Sequence, residues 1–341
     1  MRAIATEAEL EAELAEPDPR DVTLLRELDG DIAVLGAGGK MGPSLARRIR
    51  RAADAAGART RVLAVSRFSD PAVPRALEAD AVECIACDLL DPAQVAALPD
   101  CANVLYLAGM KFGSTGRPDL TWMQNTVAPA LVSRRYAGSR IVAFSTGNVY
   151  PFTRDGGPGC DETVPPAPVG EYAQSCLGRE RVFEYASRET GTPVVLFRLF
   201  YAVDLRYGTL VDVARKVWAG EPVDLTVGRV NALWQGDANS YALRSLALCE
   251  APARPLNVTG PDAISVRAAA QFFAQRLGRE PRFVGEEGGP CLLGDASLAM
   301  RLLGPPAVST AALMELCASW VEQGGRSLGK PTKFERTDGR F

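Results

Sequence analysis

The sequence predicts an α/β protein: a doubly wound parallel sheet with helices on both faces, followed by a smaller mixed α/β lobe. Three observations carry this expectation. Short apolar runs alternate with stretches of helical period from Ile32 to Leu199. The first run enters a turn with four glycines within seven positions, DIAVLGAGGKMG. From Tyr201 onward the pieces become shorter and mixed in type. Strands joined through helices run parallel, which is why the alternation points to this sheet.

In chain order, residues 1–29 read as an acidic helical extension, broken at Pro17 and Pro19 and resumed in DVTLLREL. It is placed to pack on the core or on a partner subunit, which leaves a homodimer open. Residues 30–200 hold the main alternation. The strand IAVL is followed by the helix SLARRIRRAADAAG, with Leu45, Ile49 and Ala52/Ala53 on one face and arginines on the other. Next come the strand RVLAVS, an extended segment ending CDLLD, a short helix PAQVAALP and the strand NVLYLAG. The long helical stretch TWMQNTVAPALVSRRYAG leads to the strand RIVAFSTGNVY. Residues 151–170, rich in proline, glycine and acid, read as a loop. The helix GEYAQSCLGRERVFEYASRETG then feeds the buried strand PVVLFRL. Residues 201–325 form the smaller lobe, interleaved with the sheet, and residues 326–341 are a polar tail expected to be partly ordered.

Composition narrows the function by exclusion. The 341 residues are 47% hydrophobic and 23% charged, with a net charge of −3 and no basic stripe, so nucleic acid is not an expected partner. No apolar run has the length to cross a bilayer, and the acidic amino end is unlike a signal or transit peptide, so no membrane and a cytoplasmic location are expected. The chain has no histidine, which excludes Ser-His-Asp and Cys-His catalysis and every histidine-containing metal site. The eight cysteines are scattered. The single C-x-x-C, Cys84 with Cys87, lies in strand-like AVECIACDLL, so small buried thiols are expected and no metal site.

A strand running through glycines into a helix suits a nucleotide. The helix start offers free N–H groups and partial positive charge, and glycines allow a pyrophosphate to approach. Close packing alone also uses such turns. The pattern G-x-G-x-x-G would need glycine or alanine at Met41, whereas Gly36, Gly39 and Gly42 fit G-x-x-G-x-x-G.

That spacing resembles the short-chain dehydrogenase/reductase superfamily. Further residues resemble its extended branch, the NAD-dependent epimerase/dehydratase family, over about residues 31–325. CDLLD resembles the segment whose aspartate, here Asp88 beside Leu89, contacts adenine. NVLYLAG resembles the strand ending in a small pair beside the cofactor, Ala108 and Gly109. FSTGNVY resembles S-[ST]-x-x-V-Y, placing Thr146, with Ser145, at the catalytic hydroxyl. PVGEYAQSCLGRE resembles P-x-x-x-Y-x-x-x-K-x-x-x-E, placing the catalytic tyrosine at Tyr172. PLNVTGPDAISVRAAA looks like the family's N-V-G-G…S-V-R-E-L junction. The resemblance implies a Rossmann-like NAD(P)-binding domain over residues 30–200 and a substrate-binding lobe over 201–325. It implies a cofactor site of Gly36, Gly38, Gly39, Lys40, Met41, Gly42, Ser66, Arg67, Asp88, Leu89, Ala108, Gly109 and Asn125. Asn125 also reads as a core or capping amide.

The chemistry explains the tyrosine. Hydride transfer at a carbinol needs a proton shuttle, and a phenol with a pKa of about 10 serves if that value is brought towards neutrality, about 4 kcal/mol of differential stabilisation. The family uses the lysine four residues later. Here Cys176 stands there, a departure that makes the chain an atypical member. Three accounts are open: Lys111, in the loop AGMKFGST, stands in as cation; Cys176 does chemistry itself; or the protein binds a dinucleotide as a sensor or scaffold without turnover.

The reaction implied is that of an NAD(P)-dependent oxidoreductase or epimerase acting on a small hydroxylated molecule: a sugar, sugar acid or polyol. Thr146 is followed by Gly147 and Asn148 rather than the dehydratases' acidic pair. Tyr201 stands where nucleotide-sugar epimerases carry an asparagine, so a diphosphate-bearing substrate is less secure. The second strand ends in Ser66 and Arg67 rather than an acid, which favours NADP slightly, a guanidinium pairing well with a phosphate. Asp70 is the alternative ribose ligand.

Overall fold

The computed structural model describes residues 4–111, 116–330 and 332–340. Two helices open the chain, α1 (Glu7–Leu14) and α2 (Pro19–Glu27), each begun by a capping box, Thr6 with Glu9 and Asp18 with Asp21. The main alternation comprises β1 (Ile32–Leu35), α3 (Gly42–Ala56), β2 (Val62–Ser66), α4 (Ala72–Ala79), β3 (Glu83–Ala86), α5 (Pro92–Ala96), β4 (Asn103–Tyr106), α6 (Pro118–Trp122), α7 (Ala128–Arg135), β5 (Arg140–Thr146), α8 (Gly170–Thr190) and β6 (Val194–Leu199). Beyond it lie β7 (Tyr201–Val203), α9 (Thr209–Ala219), β8 (Pro222–Asp224), β9 (Arg229–Val230), β10 (Ala232–Trp234), α10 (Gln235–Arg244), β11 (Arg254–Val258), β12 (Ile264–Ser265), α11 (Val266–Leu277), β13 (Arg282–Val284), α12 (Ser297–Leu303) and α13 (Thr310–Glu322).

Seven strands form one sheet in the order β11-β6-β5-β4-β1-β2-β3, every neighbouring pair parallel. This is the Rossmann-like, doubly wound sheet that the alternation implies. The order reverses between β1 and β4, and the glycine turn leaves the carboxyl end of β1 there, the crevice where such sheets bind ligands. Successive residues of each strand serve opposite layers. Ile32, Val34, Leu105 and Phe197 pack with α3 and α10, while Ala33, Leu35, Val104 and Leu196 pack with α5, α7 and α8. A separate core fills the smaller lobe around α9, α11 and α13.

Leu10 and Leu14 of α1 are fully buried in that lobe core, and Asp21 of α2 pairs with Arg48 at 2.7 Å inside the protein. The extension therefore packs on its own chain. Three differences from the sequence reading have local causes. The segment read as extended before CDLLD contains α4, a helix of eight residues that carries Pro74 in its first turn and buries only Leu77. The stretch from Thr121 is not one helix: residues Met123–Val127 form a π-helical turn between α6 and α7. The tail, partly ordered on its polarity, is docked where it is described: Phe334 is buried and Thr332 donates to Asp212 on α9.

Candidate active site

Backbone geometry makes the first half of the site. Gly36 has φ +92°, and a Cβ there would lie 2.6 Å from the Ala108 nitrogen; one on Gly42 would lie 2.5 Å from the Ala37 Cα. Glycine at both positions lets β1, β4 and α3 close together. No side chain caps the start of α3.

Two cavities meet at this turn, both touching Gly36, Gly39 and Leu107. One, of about 260 Å³, is lined by Gly38, Ser66, Arg67, Asp70, Asp88, Leu89, Ala108 and Gly109. The other, of about 250 Å³, is lined by Lys40, Met41, Gly42, Lys111, Ser145, Thr146, Asn148, Tyr172, Tyr201 and Tyr207. The pairing suits a two-ended ligand whose bridging phosphates rest on the helix start. A cavity of about 750 Å³ opens elsewhere, between α9 and residues 333–336, and touches none of these residues.

The second cavity gathers its groups from separate elements. Thr146 ends β5, and its oxygen accepts from the Asn148 nitrogen at 3.2 Å and from Asn148 Nδ2 at 2.9 Å, which leaves its hydrogen for Tyr172, its partner from the first turn of α8. Burial is the main force holding the Tyr172 phenol well above its ordinary pKa, so it is a neutral hydroxyl; Cys176 pushes the same way, while Arg179 and Thr146 oppose. Lys111 Nζ lies 5.7 Å from the centre of the Tyr172 ring. Lys40 donates to the Ala202 carbonyl at 3.2 Å and sits over the Tyr207 ring at 4.2 Å, so it reaches across the cavity. Burial lowers Lys40 and Lys111 to about 8 each.

Three expected site residues are placed differently. Cys176 is buried and lines neither cavity, and burial raises its thiol, which keeps it neutral beside Tyr172. Ser145 touches the second cavity, yet its hydroxyl donates to Glu180 at 2.6 Å, so its proton is committed away from any substrate. Asn125, in the π-helical turn, lines neither cavity. It accepts from the Met110 nitrogen at 3.0 Å and donates to Ser175 at 2.8 Å, fixing the loop that carries Lys111. The remaining predicted residues line one cavity or the other; residues 112–115 of the Lys111 loop lie outside the described residues.

Behind the wall, the sequence leaves Arg198, at the end of a buried strand, to meet either substrate or a structural carboxylate, and the structure gives it the carboxylate; Arg179 is the group that sequence reasoning missed. Arg198, at the end of β6, holds Glu180 with bonds of 2.9 and 2.7 Å, and Glu180 in turn orients Ser145. Arg179 enters the space beside Asn125. Its spacing of seven from Tyr172 on one helix was the signal available.

A family model described as the NAD dependent epimerase/dehydratase family matches residues 32–208. Among solved structures, a crystal structure of a putative epimerase from Burkholderia cenocepacia aligns with TM-score 0.70 at 20% identity, covering 86% of this chain and 98% of that one. UDP-glucose 4-epimerase from Thermotoga maritima, solved with UDP-glucose, gives 0.71 at 17%, covering 86% and 99%. DesIV, a dTDP-glucose 4,6-dehydratase from Streptomyces venezuelae, gives 0.71 at 19%, covering 86% and 97%. At such identities the likeness shows a common fold. No curated protein matches the sequence.

Proposed function

The chain belongs to the NAD-dependent epimerase/dehydratase family, and from that premise we propose that it is an NAD(P)-dependent oxidoreductase or epimerase acting on a hydroxyl or carbonyl of a sugar, sugar acid or similar polyol. The observation that carries this reading is the meeting of Thr146 and Tyr172 in a cavity that shares its glycine wall with a second one of about 260 Å³. Related structures were solved with NAD, among them MoeE5 with UDP-glucose and a UDP-glucuronic acid 4-epimerase from Bacillus cereus, which supports the same cofactor class here.

A bound nicotinamide would supply the hydride acceptor or donor. Gly36, Gly39 and the start of α3 would hold the phosphates, Asp88 and Leu89 the adenine, and Ser66 with Arg67 the ribose end, Arg67 favouring NADP. Tyr172, a neutral phenol, starts as the proton donor to a carbonyl oxygen, and Thr146, whose own hydrogen goes to the phenol, holds Tyr172 in line. Lys111 stands on the substrate side of the ring, where its charge would offset the phenolate. Lys40 and Lys111 face one cavity with no carboxylate among its described lining residues, which supports a substrate bearing an anionic group, as a sugar acid does. Asn148 in place of an acidic residue speaks against dehydration.

Purification, identification of any retained nucleotide, and a screen of sugars and sugar acids for nicotinamide absorbance change test the reading. Reduction or oxidation of cofactor with a sugar acid is the expected result; a retained cofactor with substrate isomerised and no net absorbance change indicates the epimerase form. A chain that binds no dinucleotide overturns the proposal. Binding without turnover of any compound would support the sensor reading, which Cys176 alone favours.

A further inference from the structure

Tyr172, Cys176 and Arg179 occupy positions i, i+4 and i+7 of α8 and so share one helical face. The Arg179 guanidinium is buried, with 6% of the residue exposed. Its Nη1 donates to the Phe144 carbonyl at 2.8 Å, its Nη2 donates to Asn125 Oδ1, and its Nε meets no acceptor. A Cβ on Gly109 would lie 2.1 Å from Nη2, so the loop after β4 leaves this place free of a side chain. No carboxylate pairs with Arg179 among the described residues. The adjacent Glu180 is held by Arg198 through two bonds.

A guanidinium cannot shed its proton, and burying one without a counter-ion costs several kcal/mol. Its hydrogen-bond partners are a neutral carbonyl and a neutral amide, so they do not offset that charge. The groups in its field that become anionic on losing a proton are Tyr172, Cys176 and Tyr106, over whose ring it sits at 5.8 Å; Arg179 favours the ionised form of all three, and of the three only Tyr172 faces a cavity. The small thiol at 176 also leaves room beside Asn125 for the longer side chain arriving from the next turn of the helix.

We propose that Arg179 is a positioning cation of this site, stabilising the Tyr172 oxygen from behind the cavity wall as its proton leaves. In carbonyl reduction the Tyr172 O–H bond breaks, the proton goes to the substrate oxygen, and the electron pair stays on Oη. In the reverse direction that phenolate takes the carbinol proton. Arg179 touches neither substrate nor cofactor and is unchanged throughout. The inference rests on Tyr172 as the acid/base group, and to the charge that Lys111 would bring from within the substrate cavity it adds a second one that lies outside it.

A fluorotyrosine placed at 172 in the full chain gives one ¹⁹F signal whose titration reports ionisation at that residue, in a range the fluorine brings within reach. No substrate or cofactor is needed, so failure here is distinguishable from failure of the oxidoreductase reading. Arg179→Gln, which keeps a donor towards Phe144, is expected to raise the midpoint by about one pH unit or more, and Arg179→Lys to restore much of it. An unmoved midpoint in a folded Arg179→Gln protein overturns the proposal. Cys176→Lys supplies a second reading that needs no change at Arg179. With the charge already in place, the midpoint should fall by less than about one unit, whereas a fall of about two or more reveals a site that lacked its cation and overturns the proposal.

Discussion

The two cavities on either side of the glycine turn are built by different means. The one beside Ser66 and Asp88 is founded on a backbone turn: Gly36 at positive φ, the close approach of Ala108, the start of α3. The one beside Tyr172 is made of side chains brought from β5, α8, the loop after β4 and the segment after β6. In the first, the glycines, Asp88 and the Ala108–Gly109 pair keep the pattern that the resemblance carries, and Ser66 and Arg67 stand where an acid would. In the second, Cys176, Asn148 and Tyr201 depart from it while Tyr172 and Thr146 remain. A backbone cradle tolerates few solutions; a constellation of side chains can be rebuilt from a neighbouring turn.

If the two halves are separable, Tyr172→Phe should lower turnover by roughly 10²–10⁴-fold and leave cofactor affinity unchanged, read by nicotinamide absorbance and by cofactor titration. An equal loss of cofactor binding would erase the distinction. Gly36→Ala is the reciprocal change. Its Cβ would press on the Ala108 nitrogen at a φ of +92°, so cofactor binding should weaken about tenfold or more, with stability lower by about 1–3 kcal/mol in denaturant unfolding. A protein unchanged in both would show the turn to be less constrained than its geometry requires.

Arg67→Ala sharpens the cofactor side: the ratio of NADP to NAD affinity should fall about tenfold, the worth of a charged hydrogen bond to phosphate. An unchanged ratio removes Arg67 from the site. The smallest effect concerns Lys111, whose pKa burial lowers from 10.5 to about 8. At pH 7 both folded and unfolded chains carry the proton, and the folded one bears the desolvation cost. Above pH 8 the folded chain releases it, and by 10.5 the difference is spent. Lys111→Met should therefore raise the melting temperature of the ligand-free protein by about 2 °C at pH 7, a gain that fades between pH 8 and 10.5. A gain that grows with pH would contradict a desolvated ammonium.

The same contrast explains what could be read from the sequence. Alternating strands and the glycine spacing report backbone constraints, and they place the sheet, its crevice and the turn directly. Tyr172 and Thr146 were legible because short motifs carry them. The commitment of the Ser145 proton to Glu180, and the approach of Arg179 to Asn125, depend on contacts between residues 35 and 54 positions apart. No local pattern encodes such contacts. α4 escaped notice for a simpler reason: it is eight residues long, with Pro74 in its first turn and one buried side chain.

β11 returns from the smaller lobe to pair with β6 along its whole length, Arg254 against Val195 through Val258 against Leu199. The stretch that carries the family pattern, residues 32–208, therefore stops before its own sheet is finished. A fragment ended there would present β6, an almost wholly apolar strand, as a raw edge open to pairing with another chain. The lobe is thus no detachable cassette: truncation or domain exchange at residue 208 should yield aggregates, whereas a boundary drawn after β11 would at least leave the seven-stranded sheet complete.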